Sequence, residues 1–329
     1  MGERTGAGLV ECAILEALDS LGARPGRGYR VSTKVLAAVE DRIGLAPGYA
    51  YEILLDLARP WMMPVNLVCV QGNYGSRGDD PPANPPYTEA RLSRAGQVAL
   101  AAERGNLAPV PIGLINGNTY RNGTRPPFRP EAVIEALRQV IRRPRFPGAD
   151  LTGIIGPPYF LNGCAVTGDF EALAAGHPVT LRLQARVTIS ADHTSVRIEN
   201  FPPNANPDEA AQSLASLAGR RPWAPDYPAL HRHARLPLKD IRDESTDARG
   251  DLIVCVPEPG TTPEQLRDQI TGVHGVYTTV PAALPSPLPA LIRNWAKAHA
   301  TEDLQASLAA LEDAIGAQQA SRCANQSPS

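Results

Sequence analysis

Apolar positions follow two rhythms along this chain. Leu9, Ile14, Leu15, Leu18 and Leu21 recur at helical spacing over 8–22, and Gly22 supplies a stop. A second helix is expected after Ser32 and Thr33, with Val35, Leu36, Val39 and Ile43 on one face. A third spans about 48–58, carries Ile53, Leu54, Leu55 and Leu57, and is ended by Pro60. Residues 60–86 lose the rhythm and read as a long loop rich in Gly and Pro. Helix is expected again from Tyr87-Thr-Glu-Ala-Arg-Leu-Ser-Arg94 to about Arg104, and over 130–143. Past a Pro/Gly break the rhythm becomes alternation: 181–189 and 196–201 read as strands. A helix at 207–219, a strand at 252–256, a helix at 262–271 and a strand at 276–280 follow. From Pro289 to Ala317 one long amphipathic helix is expected, then a polar tail.

Helical modules followed by mixed strands and helices predict an α+β chain with two main units. Three short helices in series are the arrangement of winged-helix and helix-turn-helix units, although many small bundles look alike. A length of 329 residues agrees with two domains. The expected divisions are 1–145, 146–285, a helical segment 286–317 and a disordered tail 318–329. Proline is the compositional outlier at 33 residues, clustered between helical patterns as stiff connectors.

No apolar stretch is long enough for a membrane span, and no apolar segment follows the charged start as a secretory signal requires. The five cysteines (Cys12, Cys69, Cys164, Cys255, Cys323) are scattered and never form C-x-x-C, which suggests reduced thiols and a cytoplasmic location. His231 and His233 alternate on a basic, Pro-flanked segment and are read as solvated, so no metal site is expected there.

Charge is informative only locally. Thirty-two Lys and Arg against 34 Asp and Glu give a net −2, which argues against binding polyanions through bulk charge. Between Glu89 and Arg145, however, ten arginines face four glutamates, a local +6. Guanidinium groups suit forked contact with phosphate, and the alternative is a solvated face. Arg27, Arg30 and Lys34 extend the patch.

Several segments then resemble, in order, the A subunit of bacterial type IIA topoisomerases (DNA gyrase and topoisomerase IV). Gln71-Gly-Asn-Tyr-Gly-Ser76 is similar to the family's Q-G-N-F-G-S loop, and Asp79-Asp-Pro-Pro-Ala83 to D-G-D-x-x-A. Tyr87-Thr-Glu-Ala-Arg-Leu92 resembles Y-T-E-x-R-L. Downstream, Leu114-Ile-Asn-Gly117, Arg125-Pro-Pro127 with Glu131–Glu135, Ile155-Gly-Pro-Pro158 and Ile241-Arg-Asp-Glu-Ser245 match further landmarks, so the order holds from about 25 to 280.

The resemblance implies a winged-helix DNA-gate domain over 1–145, a tower-like α/β domain over 146–285 and a shortened C-terminal helix. It implies that Tyr87 is the nucleophile of double-strand breakage and reunion through a tyrosyl-DNA ester. Arg30, Lys34, Arg91, Arg94, Arg121, Arg125 and Arg129 would contact double-stranded DNA, and Gln71, Gly72, Asn73 and Ser76 would form the adjoining loop. Mg²⁺ and ATP would come through a B-type partner subunit. Consistently, the chain carries no G-x-x-x-x-G-K-[ST] loop and no D-x-D cluster, and binds no cofactor by itself. Without the resemblance, a tyrosine beside a Gly/Pro loop reads as a packing residue.

The departures are equally specific. Pro86 stands where the family has an arginine before the tyrosine, and Ile43-Gly-Leu-Ala-Pro47 replaces H-P-H-G-D. Arg125 occupies the position of the family's DNA-wedging isoleucine. Val10-Glu-Cys-Ala13 lacks the paired arginines of the first helix, and the family's N-terminal arm and DNA-wrapping propeller are not expected. Two functions therefore follow. One is a divergent topoisomerase A-like component, possible as a homodimer. The other is a catalytically impaired paralogue that binds DNA or a resident topoisomerase and modulates it without turnover.

Overall fold

The computed structural model describes residues 8–78, 80–119, 123–161, 163–203, 205–219, 235–246, 250–297 and 300–326, without the side chains of 321–326. Arg121, Asp79, His231 and His233 lie outside the described residues. The fold is α+β, built from helices and three antiparallel sheets.

The chain opens with α1 (Leu9–Ser20), β1 (Arg30–Val31), α2 (Ser32–Ile43), α3 (Pro47–Ala58), β2 (Val68–Gln71) and β3 (Glu89–Leu92). The three expected helices form, and Gly44 closes α2 in the left-handed conformation, with its N–H bonded to the Glu40 carbonyl. The long loop is interrupted by β2, and the expected helix from Tyr87 begins as a strand. β3 lies between the other two strands in the order β1-β3-β2, with Arg30 opposite Ala90 and Gln71 opposite Glu89. Its burial alternates: Thr88, Ala90 and Leu92 are inside, and Glu89 is exposed. That period-2 arrangement, paired on both sides, overrides the helix-forming residues of the segment. Helix starts only at α4 (Arg94–Glu103), where the Ser93 hydroxyl accepts the Gly96 N–H at 2.8 Å.

Helices α5 (Ile112–Asn116), α6 (Pro130–Arg142) and α7 (Gly148–Ile155) complete the first half. Next come β4 (Ala165–Thr167), α8 (Phe170–Ala174), β5 (Val179–Gln184), β6 (Arg186–Ile189), β7 (Val196–Glu199) and α9 (Pro207–Leu217). The chain closes with β8 (Leu238–Asp243), β9 (Leu252–Pro257), α10 (Pro263–Ile270), β10 (Tyr277–Ala282), α11 (Leu288–Lys297) and α12 (Thr301–Gln326).

The single alternating run at 181–189 serves two sheets. β5 pairs with β10 and β4, whereas β6 starts a second sheet ordered β6-β7-β9-β8. Between them the buried Ala185 donates its N–H to the Val276 carbonyl at 2.8 Å. Two apolar cores result. The larger joins α1–α7 to β5, β10, α11 and α12, through residues such as Leu18, Leu54, Phe128, Leu181 and Leu311. The smaller runs from Ala185 to Val276 and includes Ile198, Phe201, Leu214, Ile253 and Leu266. The change of core falls between Leu183 and Ala185, later than the 145/146 division suggested by the pattern.

The C-terminal segment holds two helices, α11 and α12, where one was expected. α12 continues through the polar residues expected to form a tail. Gln318 accepts the Asn66 N–H at 3.0 Å and donates to the Pro64 carbonyl at 3.3 Å, tying the helix to the approach to β2. Among the described residues, no helix is long and apolar enough to cross a membrane.

Candidate functional site

The site is organised by the loop between β2 and β3. Pro85-Pro86-Tyr87 forms a 3-10 turn at its end, immediately before β3. Proline suits the opening of such a turn, since its fixed φ costs nothing there. Tyr87 is 76% exposed, so the side chain the resemblance singles out projects to solvent from the end of a strand, not from a helix base.

Its neighbour is the opposite. Thr88 is fully buried and donates its hydroxyl to Ser32 Oγ at 2.9 Å, while the Thr88 carbonyl accepts the Ser32 N–H at 2.8 Å. Ser32 Oγ lies 3.2 Å from the Tyr74 hydroxyl, which donates to the Glu89 carbonyl at 2.9 Å. Tyr51 Oη stands 3.1 Å from Thr88 Oγ1 and donates to the Ala83 carbonyl at 2.6 Å. Burial pushes the Tyr74 hydroxyl above its usual range, so it acts as a neutral donor. This chain of hydroxyls, from α2, α3 and the loop, fixes the backbone on which Tyr87 rides. Ser32, Tyr51, Tyr74 and Thr88 were not singled out by sequence. Two signals were present: Tyr74 and Thr88 stand inside the matched motifs, and polar Thr88 alternates in phase with Ala90 and Leu92.

The loop residues hold the loop itself. Gly72 has φ +102°, and a Cβ there would stand 2.7 Å from the Tyr87 carbonyl oxygen. Asn73 Oδ1 accepts the Gly75 N–H at 2.7 Å, and the Asn73 carbonyl accepts the Ala83 N–H at 3.0 Å. Ser76 Oγ accepts the Gly78 N–H at 3.1 Å. Gln71 is exposed and pairs in the sheet with Glu89. All four expected loop residues thus belong to one structure against the Tyr87 turn.

The arginines divide into two groups. Arg30 donates to the Leu21 carbonyl at 3.0 Å and the Tyr29 carbonyl at 3.0 Å. Arg91 lies over the Tyr29 ring at 4.3 Å and donates to the Arg27 carbonyl at 2.9 Å. Arg129 lies over the Tyr159 ring at 4.2 Å, and Arg125 is held by its backbone N–H, which donates to Asn118 Oδ1 at 2.8 Å. Arg104 pairs with Asp19 at 2.6 Å and Glu16 at 3.5 Å, and Arg138 pairs with Glu312 at 2.5 Å. In contrast, Lys34, Arg94, Arg142, Arg143 and Arg145 are exposed and make no ion pair among the described residues. The expected single patch around Tyr87 is therefore dispersed: Lys34 on the helix that packs against the Tyr87 turn, Arg94 at the start of α4, and an arginine cluster at the end of α6.

Among the described residues, no cluster of three His, Cys, Asp or Glu side chains is arranged to hold a metal ion.

No protein-family model matches the chain. Curated DNA gyrase A subunits do. The protein from Nocardioides sp. is 26% identical over 285 residues, covering 77% of this chain and 30% of its own length. That from Kosmotoga olearia is 25% identical over 289 residues, covering 79% and 34%. The corresponding gyrase protein of Mycobacterium bovis is 37% identical over 91 residues, covering 27% and 11%. The chain thus spans about a third of the length of the relatives it matches across most of itself. With motif order and extended similarity in agreement, the chain is a divergent DNA gyrase A-like protein.

Proposed function

We propose that this protein is a DNA-binding, type IIA topoisomerase A-like protein in which Tyr87 is the nucleophile. The observation that carries the reading is the exposed Tyr87 side chain on a backbone held from below by the buried Thr88–Ser32–Tyr74 hydroxyl chain. A fixed, solvent-facing phenol gains from orientation what it lacks in reactivity, since its ordinary pKa is about 10. Its oxygen would form the ester bond to phosphorus as the P–O3′ bond breaks, the phenol proton ending on the departing 3′ oxygen.

The element order α1-β1-α2-α3-β2-β3 with its small antiparallel sheet supports a winged-helix DNA gate, with Tyr87 on the wing loop. The β6-β7-β9-β8 sheet with α9 and α10 supports the tower-like reading of the following unit. Arg27, Lys34 and Arg94 are exposed cations available to meet phosphate on the helical module that carries Tyr87. When bound through a B-type partner, Mg²⁺ supplies charge neutralisation at the phosphate. Double-strand cleavage further requires two copies of this chain.

One observation favours a modulator that binds DNA without turnover. Pro86 brings neither charge nor N–H to the position before Tyr87, and Arg91 is held on Tyr29 and the Arg27 carbonyl. The two readings separate in one experiment: trapping with denaturant after incubation with supercoiled DNA, a gyrase B subunit and Mg²⁺. Loss of a covalent adduct in Tyr87→Phe supports the nucleophile. Salt-sensitive duplex binding without adduct leaves the modulator, and absence of duplex binding overturns both.

A further inference from the structure

The Tyr87 loop is gripped from a second side, by the smaller core. Arg77 extends out of the loop and pairs with Asp251 at 2.6 Å, with side chains only 12% and 17% exposed. Its other terminal nitrogen donates to the Phe201 carbonyl at 2.8 Å and the Pro202 carbonyl at 3.0 Å. Phe201 belongs to the smaller core, and Asp251 immediately precedes β9 of its sheet. Next to Arg77, Gly78 lies so close to the Asp208 carboxylate that no Cβ fits at that position without movement. One arginine thus joins a loop of the larger core to three groups of the smaller core.

We propose that Arg77 is a positioning residue through which the 185–276 module sets the loop that presents Tyr87. A buried guanidinium is expensive to desolvate, and here burial lowers the Arg77 pKa and raises that of Asp251. Such a pair contributes little net stability against an apolar contact of the same volume, but it is directional. A planar fork bound to two carbonyls and a carboxylate admits one placement of residues 76–78. The far end of the same loop is fixed by the Tyr51–Ala83 and Thr88–Ser32 bonds in the larger core. A shift of one module against the other would therefore be transmitted to the residues between Arg77 and Tyr87.

The inference goes beyond the nucleophile reading, and its test does not depend on it. Amide hydrogen exchange is followed by mass spectrometry on the full chain, for Arg77→Met, Arg77→Lys and Asp251→Asn beside the parent. Arg77→Met and Asp251→Asn are expected to speed exchange at least tenfold across 72–88, leaving α2 and the β6-β7-β9-β8 sheet unchanged. Arg77→Lys keeps the charge pair and recovers part of the protection. Unchanged exchange at 72–88 overturns the proposal, and so does equal acceleration throughout 185–276, which marks loss of the fold. Where the parent forms the Tyr87 adduct, Arg77→Met is expected to lower its yield at saturating duplex at least fivefold, with duplex Kd within twofold. A weakened Kd with unchanged saturating yield overturns the positioning role. If the parent forms no adduct, the nucleophile reading fails and the exchange result still decides the role of Arg77.

Discussion

Gly72 lies directly against the Tyr87 carbonyl: a Cβ on residue 72 would stand 2.7 Å from that oxygen and 3.2 Å from Thr88 Cα. Its φ of +102° is also one that side-chain-bearing residues rarely adopt. The glycine of the Gln71-Gly-Asn73 run is therefore required by two independent constraints, backbone conformation and contact with the turn. Gly72→Ala is expected to destabilise the protein by about 1–3 kcal/mol. It should also displace Tyr87 while leaving the distant Cys255 core intact. Chemical denaturation measures the first effect. Solvent quenching of a fluorescent probe at residue 87 measures the second. An alanine variant with parental stability would show that the loop has room to rearrange.

Acid should weaken a charged cluster that joins α1 to the end of α4. Burial raises the Asp19 pKa, but hydrogen bonds and charges from Arg104 and Arg24 outweigh it and hold the carboxyl below its usual range. A carboxyl lowered by folding contributes stability that is complete above its unfolded value, near 3.9, and is lost as pH falls through its folded value. Both arginines are partly solvated, at 38% and 50% exposure, which limits the gain. Asp19→Asn is expected to cost about 1–2 kcal/mol at pH 7. Denaturant titrations of parent and variant should draw together from the unfolded value of Asp19 downwards and meet only below its folded value. A constant difference across that range would show that packing, not ionisation, holds α1 to α4.

Burial also sorts the thiols. It pushes Cys12, Cys164 and Cys255 up to about 12, with Glu103 and Glu11 adding to the effect at Cys12. Cys69 on β2 is partly exposed. In a Cys323→Ser background at pH 8, iodoacetamide is expected to modify Cys69 at least tenfold faster than the other three. Peptide mapping provides the rates. Labelling of Cys164 at the Cys69 rate would mean that the region around Arg77, which faces Cys164, opens readily in the native protein.

Sequence legibility followed the physics of each signal. Helices α1, α2, α3, α6, α9 and α10 carry their apolar stripe in local spacing, so their existence could be read directly. The strands of the first sheet could not. β1 has only two residues, and β3 is a strand because β1 and β2 flank it, a condition set by residues far away in sequence. The motif resemblance located Tyr87 and its loop, but not the hydroxyls beneath it. Ser32, Tyr51, Tyr74 and Thr88 come from separate segments and meet only through folding. Charge counting found a basic segment but could not distinguish Arg104, neutralised by α1 carboxylates, from Arg145, which faces solvent.

That last distinction carries a prediction about DNA. Arg142, Arg143 and Arg145 stand together at the C-terminal end of α6, exposed and without ion pairs among the described residues. Arg30 and Arg91 make their contacts within the protein. If the α6 cluster meets phosphate, replacing all three with glutamine removes about three contacts, and each contributes about 0.9 to the slope of log K against log salt. Duplex binding by the triple variant is expected to weaken and its salt slope to fall by about 2–3. Arg91→Gln should change the slope by less than about 0.5. Fluorescence anisotropy with a labelled duplex across a salt series measures both, with circular dichroism to verify that the helices remain. A slope unchanged in the triple variant but reduced in a Lys34→Gln/Arg94→Gln variant would place the duplex on the Tyr87 module alone, and the α6 arginines would then be a solvated helix end.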